Sequence, residues 1–359
     1  MQGSSTTAET KRFSDWIETA ADAIDRGEEP ASNILPQLAA AGYPAIGVPA
    51  AFGGSGGDVV NAVNAIADVA SHSLASAFVL WSQRAYIQFL LDSSNQGLRE
   101  RLLPNLLAGR LAGATGLSNA MKFLGGLEPL QISATGSDTL TLNGKMPWVT
   151  NLRPEGFHVA GAVDHEDGRV LVVSFAHDDP GLTRTEDLAL MGMRSANTAA
   201  LAINNVRISN DRIISTNARE WLPKSRPAFA GLQCGMSIGL AKRALTEAKA
   251  CAGAGRGVLG EPLAQLSRQL DDAHARLAAG LRSQAFVTDA SPLFELRIKL
   301  ADIVAQAVQL ELQASGGRAY LEEPGRAFAR RWREAAFIPI ITPSIVQLRT
   351  ALQQRWNAA

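Results

Sequence analysis

The sequence is poor in the residues that most often announce a chemistry. It holds two cysteines and five histidines in 359 residues, no excess charge of either sign, and aromatics at only 6%. Each scarcity excludes something. Cys234 and Cys251 cannot build a disulfide framework and offer no metal-ligand spacing, which points to a reducing compartment. The 34 basic side chains are balanced by 34 acidic ones, with no long block of one sign. The electrostatic footprint of a nucleic-acid or anionic-membrane binder is therefore missing. The polar start MQGSSTTAETKRF lacks the apolar stretch of a signal peptide, and no run reaches the roughly 18 uninterrupted apolar residues of a membrane span. A cytoplasmic globular protein is expected. Neutrality also removes the self-repulsion that keeps many proteins monomeric, so an oligomer is expected as well.

Local motifs are equally sparse. None of His72, His158, His165, His177 and His274 pairs at H-E-x-x-H spacing, and His165 and His177 sit among acids in what reads as exposed loops. The elbow pattern G-x-S-x-G occurs as Gly53-Gly54-Ser55-Gly56-Gly57, without the strand-turn-helix context a nucleophile needs. Gly255, Gly257 and Gly260 match the dinucleotide fingerprint G-x-G-x-x-G. A helix, not a strand, enters that match, so it reads as a helix–helix turn.

What is present is periodicity. From about Phe13 to Leu111 apolar residues recur at three- and four-residue spacing, interrupted by the Pro/Gly-rich AGYPAIGVPAAFGGSGGD. From about Ala112 to Ser215 apolar and polar residues alternate, with Gly136-Ser137 and Asn143-Gly144 as turn signals, the texture of an antiparallel β domain. Helical spacing returns from about Pro223, with a break at Gly316-Gly317, and suggests an antiparallel bundle. The expected fold class is α+β, mostly α: a helical domain (1–111), a central antiparallel β-barrel-like domain (112–217) and a C-terminal four-helix bundle (218–359).

Several segments, in order, resemble the acyl-CoA dehydrogenase family of flavoproteins. GYPAIGVPAAFGGSGGD is similar to the family's loop between early helices, and LNGKMPWVTN to its Asn-Gly-x-Lys-x-Trp-Ile-Thr-Asn. DDPGLTRTEDLALMGMRSANTAALAINNVRIS is similar to its Pro-Gly-Leu…Gly-Met-Arg…Thr…Val-x-Val segment. AGRGVLGEPLAQLSRQ resembles Arg-x-x-Phe-Gly-x-x-Leu, and LQASGGRAYLEEPGRAFARRWREAAF resembles Gln-x-x-Gly-Gly-x-x-Tyr followed by the Arg-Asp-Ala helix. The resemblance implies FAD as cofactor, an acyl-CoA substrate, and a dimer or homotetramer with FAD at the subunit interface. It assigns FAD contacts to Leu117, Ser118, Trp148, Val149, Thr150, Arg256, Gln313, Gly316, Gly317 and Ser344. Trp148 would flank the isoalloxazine ring, Thr150 would hydrogen-bond near N5, and Arg256 would reach the pyrophosphate of a neighbouring subunit's FAD.

The departures from the pattern are as informative. Ser118 keeps a hydroxyl, but Met121–Leu124 bring bulk where the family has small residues beside the substrate. The usual catalytic glutamate position falls on Thr342, whose alkoxide is out of reach at neutral pH. The second base position used by some members falls near Phe229, with no carboxylate, which leaves His72 and Glu334 as conceivable substitutes. The chain is also short for the family, with the deficit expected around Ser283–Pro292. The implied reaction is α,β-dehydrogenation of an acyl-CoA, with α-proton removal and hydride transfer to flavin N5. The alternatives are a flavin-dependent monooxygenase of the same fold, or a non-catalytic partner subunit in a mixed tetramer with a catalytic homologue.

Overall fold

Three- and four-residue apolar spacing becomes helix at both ends of the chain, and alternation becomes sheet between them. The structure, a computed structural model, describes residues 6–358 apart from 252 and 254. Five helices come first: α1 (Thr6–Arg26), α2 (Ile34–Ala40), α3 (Val59–His72), α4 (Leu74–Leu91) and α5 (Gln96–Leu107). The middle region runs β1 (Ala112–Thr115), α6 (Ser118–Leu124), β2 (Ile132–Thr135), β3 (Thr139–Val149), β4 (Phe157–His165), β5 (Val170–Ala176), β6 (Leu182–Arg184), β7 (Ala199–Ser209) and β8 (Ile213–Ser215). The last region holds α7 (Ala218–Cys251), α8 (Gly260–Arg282), the single turn α9 (Ala285–Thr288), α10 (Ser291–Ser315), α11 (Glu322–Phe337) and α12 (Ile345–Ala358).

The two helical regions pack on one another. α4 is apolar on nearly every side and is buried almost along its length, so it forms the centre that α3, α5, α7 and the sheet surround. α3 starts at a reciprocal cap: the Asp58 carboxylate accepts from the backbone N–H groups of Val60 and Asn61, and the Asn61 side chain accepts from Asp58 N–H. α3 then lies against α7 at a seam of small residues. A Cβ on Gly239 would stand 2.0 Å from the Ala67 carbonyl oxygen, and one on Gly235 would stand 2.6 Å from that of Val63. Only glycine at these two positions, one turn apart, lets the backbones come this close.

The sheet is mixed, in the order β6-β7-β3-β2-β4-β5-β8, with β1 also paired to β4. β1 runs parallel to the first half of β4 and β2 parallel to its end. This corrects the expectation of a purely antiparallel domain: β1 and β2 share one edge of β4, which alternation in the sequence cannot reveal. Gly136-Ser137 does form the turn between β2 and β3, but Asn143-Gly144 is a bulge inside β3, where the register against β7 shifts. His165 is buried at the end of β4, with Nε2 2.7 Å from Gly136 O, instead of lying in solvent.

In the last region α7, α8 and α10 pack together, and α11 and α12 lie against α10. The G-x-G-x-x-G match is the turn between α7 and α8, as its helical approach implied. The stretch Glu322–Arg355 reaches a mean hydropathy of 1.4 over a membrane-length window, but α11 and α12 within it are separated by the turn Ile338–Ile340 and the cis bond Thr342–Pro343.

Substituting Gly239→Ala forces a methyl into the Ala67 carbonyl. It is expected to destabilise the fold by about 2–3 kcal/mol, read as a lowered urea-unfolding midpoint.

Candidate functional site

An apolar-walled cavity of about 590 Å³ opens where α4, α6, the end of β3, the 190–193 loop, α7 and the α11–α12 junction meet. Its size is that of a site for a small molecule or part of a cofactor. One end is aromatic. Phe78 and Trp81 stack with ring centres 5.3 Å apart, Phe229 meets Trp81 edge-on at 5.3 Å, and Phe337 meets Phe78 edge-on at 5.0 Å. The other end is polar, with Ser118, Asn119, Lys122, Glu128 and Gln131.

Trp148 reaches the cavity through an irregularity in β3. The register against β7 slips between Met146 and Val149, so Pro147 and Trp148 both face outward and the indole is 61% exposed. Thr150, just beyond, is buried and tied down. Its hydroxyl donates to Ala196 O at 2.9 Å and accepts from the Thr198 hydroxyl at 3.1 Å. The following N–H groups of Asn151 and Leu152 bond to Ala196 O and Asn197 O. The Thr150 segment is thereby zipped to residues 196–198, which lead into β7.

The opposite wall is the segment 341–344, and buried donors hold three consecutive carbonyls of it. Arg297 donates to Ile341 O at 3.3 Å and to Pro343 O at 3.1 Å, and Gln233 donates to Thr342 O at 2.8 Å. Ser344 then starts α12 through a capping box: Ser344 N–H donates to Gln347 Oε1 at 2.7 Å, and Gln347 N–H donates back to Ser344 Oγ at 3.3 Å. A third tie crosses the rim. Arg333 lines the cavity and donates twice to Asp25 Oδ2, at 2.6 and 2.9 Å, while Asp25 Oδ1 accepts from Met193 N–H at 2.8 Å. Asp25 is 1% exposed and so joins α1, α11 and the 190–193 loop in the interior.

The N-terminal region matches a known family: the profile of the acyl-CoA dehydrogenase N-terminal domain covers residues 8–110. The probable acyl-CoA dehydrogenase YngJ of Bacillus subtilis (strain 168) is 25% identical over 352 residues, spanning 89% of this chain and 88% of its own. The butyryl-CoA dehydrogenase structure from Megasphaera elsdenii superposes with a TM-score of 0.83 at 18% identity over 99% of both chains. The prolyl acyl carrier protein oxidase AnaB superposes equally well, with a TM-score of 0.83 at 17% identity over 99% of this chain and 100% of that one. Residues 8–110 thus match the acyl-CoA dehydrogenase N-terminal domain, and the whole chain has the fold of the butyryl-CoA dehydrogenase structure.

Of the residues that the family pattern singled out, Ser118, Trp148, Thr150, Thr342 and Ser344 line this one cavity. Leu117 and Val149 do not: both side chains are buried in the core, so only their backbones could face a ligand. Arg256, Gly316 and Gly317 form a separate cluster beyond the cavity. A Cβ on Gly316 would meet the Arg256 guanidinium at 3.3 Å, and Arg256 itself donates to Cys251 O at 2.7 Å. Gln313 points into a different groove, against α8. Of Met121–Leu124, expected to bring bulk beside the substrate, Lys122 lines the cavity. These residues form the helix α6, whose cavity face carries Ser118, Asn119 and Lys122, while Met121 turns into the core and Phe123 lies under Arg219.

Neither substitute base reaches the cavity. Glu334 is wholly buried at the start of α4, where its carboxylate accepts from Leu74 N–H at 3.0 Å and from Arg330 at 2.9 Å. His72 faces Glu18, with Nδ1 2.6 Å from its carboxylate. The carboxylate that does line the cavity is Glu128, which no sequence pattern marked. It accepts from Asn119 at 2.9 Å and pairs with Lys122 at 3.1 Å. The Asn119 hydrogen bond, with Lys122 adding to it and burial opposing, holds its carboxyl below the usual range. Among the described residues, no cluster of three His, Cys, Asp or Glu side chains could hold a metal ion.

Two measurements check these ties. Asp25→Ala strands the Arg333 charge and the Met193 N–H, and is expected to cost about 2–4 kcal/mol in urea unfolding at neutral pH. Glu18 is held at about 2, against an ordinary 4.5, chiefly by its hydrogen bond from Arg243, with His72 adding and burial opposing. A depressed carboxyl gives stability that is present above its ordinary value and lost as pH falls toward the folded one. The melting temperature is therefore expected to drop between about pH 4.5 and about 2, and to drop less in Glu18→Gln.

Proposed function

We propose that the protein is a cytoplasmic FAD-dependent oxidoreductase that takes an acyl-CoA or a related acyl thioester through α,β-dehydrogenation. The observation that carries the reading is the convergence of Ser118, Trp148, Thr150 and Ser344 on one cavity with an aromatic wall. The residues suit a flavin by what they leave open. The Ser118 hydroxyl has no partner among the described residues, Trp148 offers an exposed indole face, and Gln131 Oε1 is buried and unpaired in the cavity wall. An indole stacks well on a flat ring system. Outside the cavity, Gly317 has open space where a side chain would stand, and Arg256 lies beside Gly316. A guanidinium fork suits paired phosphate oxygens.

The separation of the two clusters supports an oligomer. Val258, Tyr320 and Leu321 stand exposed around the Arg256–Gly317 cluster. A second copy covering this apolar surface would bring that cluster to a neighbour's cofactor, in a dimer or homotetramer.

When bound, FAD would supply the hydride acceptor. The chain's own residues bind, orient and exclude water: the aromatic end takes the apolar part of the acyl group, and the polar end faces the hydrogen-bonding part. Glu128 is the carboxylate in reach of the cavity, and in this reading it takes the α-proton. Its tie to Asn119 and Lys122 weakens it as a base. That tie favours a second reading, a flavin-dependent monooxygenase of the same fold, in which no α-proton need be removed.

Turnover of saturated acyl-CoA thioesters with an artificial electron acceptor, without oxygen, separates the two. Dehydrogenation predicts turnover, reduced about 10²–10⁴-fold by Glu128→Gln. Turnover that requires oxygen and is indifferent to Glu128→Gln contradicts it and supports the second reading.

A further inference from the structure

Behind the 341–344 wall stands a cation with no anion. Arg297 is 3% exposed, and its guanidinium donates to the backbone carbonyls of Ile341 and Pro343, leaving Nε buried and unpaired. Among the described residues no carboxylate pairs with it. The titratable group that faces it is Cys234, whose thiol burial pushes up to about 12, so it stays neutral. A guanidinium keeps its proton at any ordinary pH, and a buried charge is screened far less than an exposed one. The charged side chains that line the cavity itself cancel: Lys122 pairs with Glu128, and Arg333 with Asp25. The wall therefore carries one uncompensated positive charge. On the cavity side of the same segment, two hydroxyls have protons to give. The Thr342 hydroxyl has no partner among the described residues, and the Ser344 hydroxyl accepts from Gln347 N–H at 3.3 Å without donating to any of them.

We propose that Arg297 determines specificity by placing this charge behind Thr342 and Ser344, so that the cavity selects an acyl group ending in a carboxylate. The inference deepens the acyl-thioester reading above and rests on it. The apolar stem of such a group lies along Phe78, Trp81, Phe229 and Phe337, and its terminal carboxylate accepts from the two hydroxyls. A carboxylate entering an apolar cavity gives up strong hydration, whereas a terminal methyl group gains by leaving water. With no counter-charge the methyl-ended group is the tighter ligand. The Arg297 charge and two charge-assisted hydrogen bonds reverse that order. The carbonyls of Ile341 and Pro343 keep the guanidinium one layer back, so it acts through its field and not by contact.

Binding of pentanoyl-CoA and glutaryl-CoA to the purified protein, measured by isothermal titration calorimetry, is the test, since the two differ only in a terminal methyl or carboxylate. The wild type is expected to bind glutaryl-CoA about tenfold or more tighter. Arg297→Gln removes the charge and is expected to bring the two affinities within about threefold or to invert them. Arg297→Lys keeps the charge and is expected to hold the wild-type ratio. The ratio is the readout because a wall merely loosened by the substitution weakens both ligands alike. A wild type that binds pentanoyl-CoA as tightly as glutaryl-CoA, or a ratio that Arg297→Gln leaves unchanged, overturns the proposal. So does an equal fall of the ratio in both variants. Should Arg297→Gln not fold, Thr342→Val must cut the ratio by about threefold or more, and an unchanged ratio there overturns it too. A wild type that binds neither thioester removes the acyl-thioester reading, and this inference with it.

Discussion

The close approach of α3 to α7 is the constraint on which the site depends. Gly235 and Gly239 let the two backbones touch, and this fixes both the height and the rotation of α7 against the N-terminal helices. Phe229 and Gln233 lie on another face of the same helix, so the seam decides where they stand. Phe229 then closes the aromatic end of the cavity over Trp81, and Gln233 reaches across to hold the Thr342 carbonyl. A methyl at the seam would move all of these together, because close-packed interiors transmit such strain instead of absorbing it.

The cavity is assembled from parts far apart in sequence and fixed by buried hydrogen bonds to backbone. Arg297 and Gln233 pin 341–343, Ala196 and Asn197 pin 150–152, and Asp25 pins the 190–193 loop to α11. Groups held this way need little reorganisation when a ligand arrives, which is the physical content of preorganisation. The zero net charge fits the same design, since the charges nearest the cavity are spent in pairs: Asp25 with Arg333, and Glu128 with Lys122.

Much of this was legible in the sequence, and the limits have physical causes. Periodicity located the helical, β and helical regions because each element shows one face to a core. Ser118, Trp148, Thr150, Thr342 and Ser344, which the collinear motifs singled out, line one cavity. The parallel pairing of β1 and β2 with β4 was not legible, since alternation is the same for either direction of pairing. Nor was the Asn143-Gly144 bulge, because the same dipeptide serves turns and bulges. Glu128 and Gln131 lie in or beside a loop with no periodicity, and Phe78 and Trp81 sit on a helix buried all round, where no polar face marks the functional side. The roles of Arg297 and Gln233 depend on contacts across tens of residues, which no local pattern encodes.

The claim at the centre is that this cavity holds an isoalloxazine ring against Trp148. Titration of FAD into the cofactor-free protein, followed by flavin and tryptophan fluorescence, tests it most directly. The account predicts saturation at one FAD per chain, with affinity weakened about tenfold or more in Trp148→Ala. Absence of saturable binding, or binding that Trp148→Ala leaves unchanged, would contradict it.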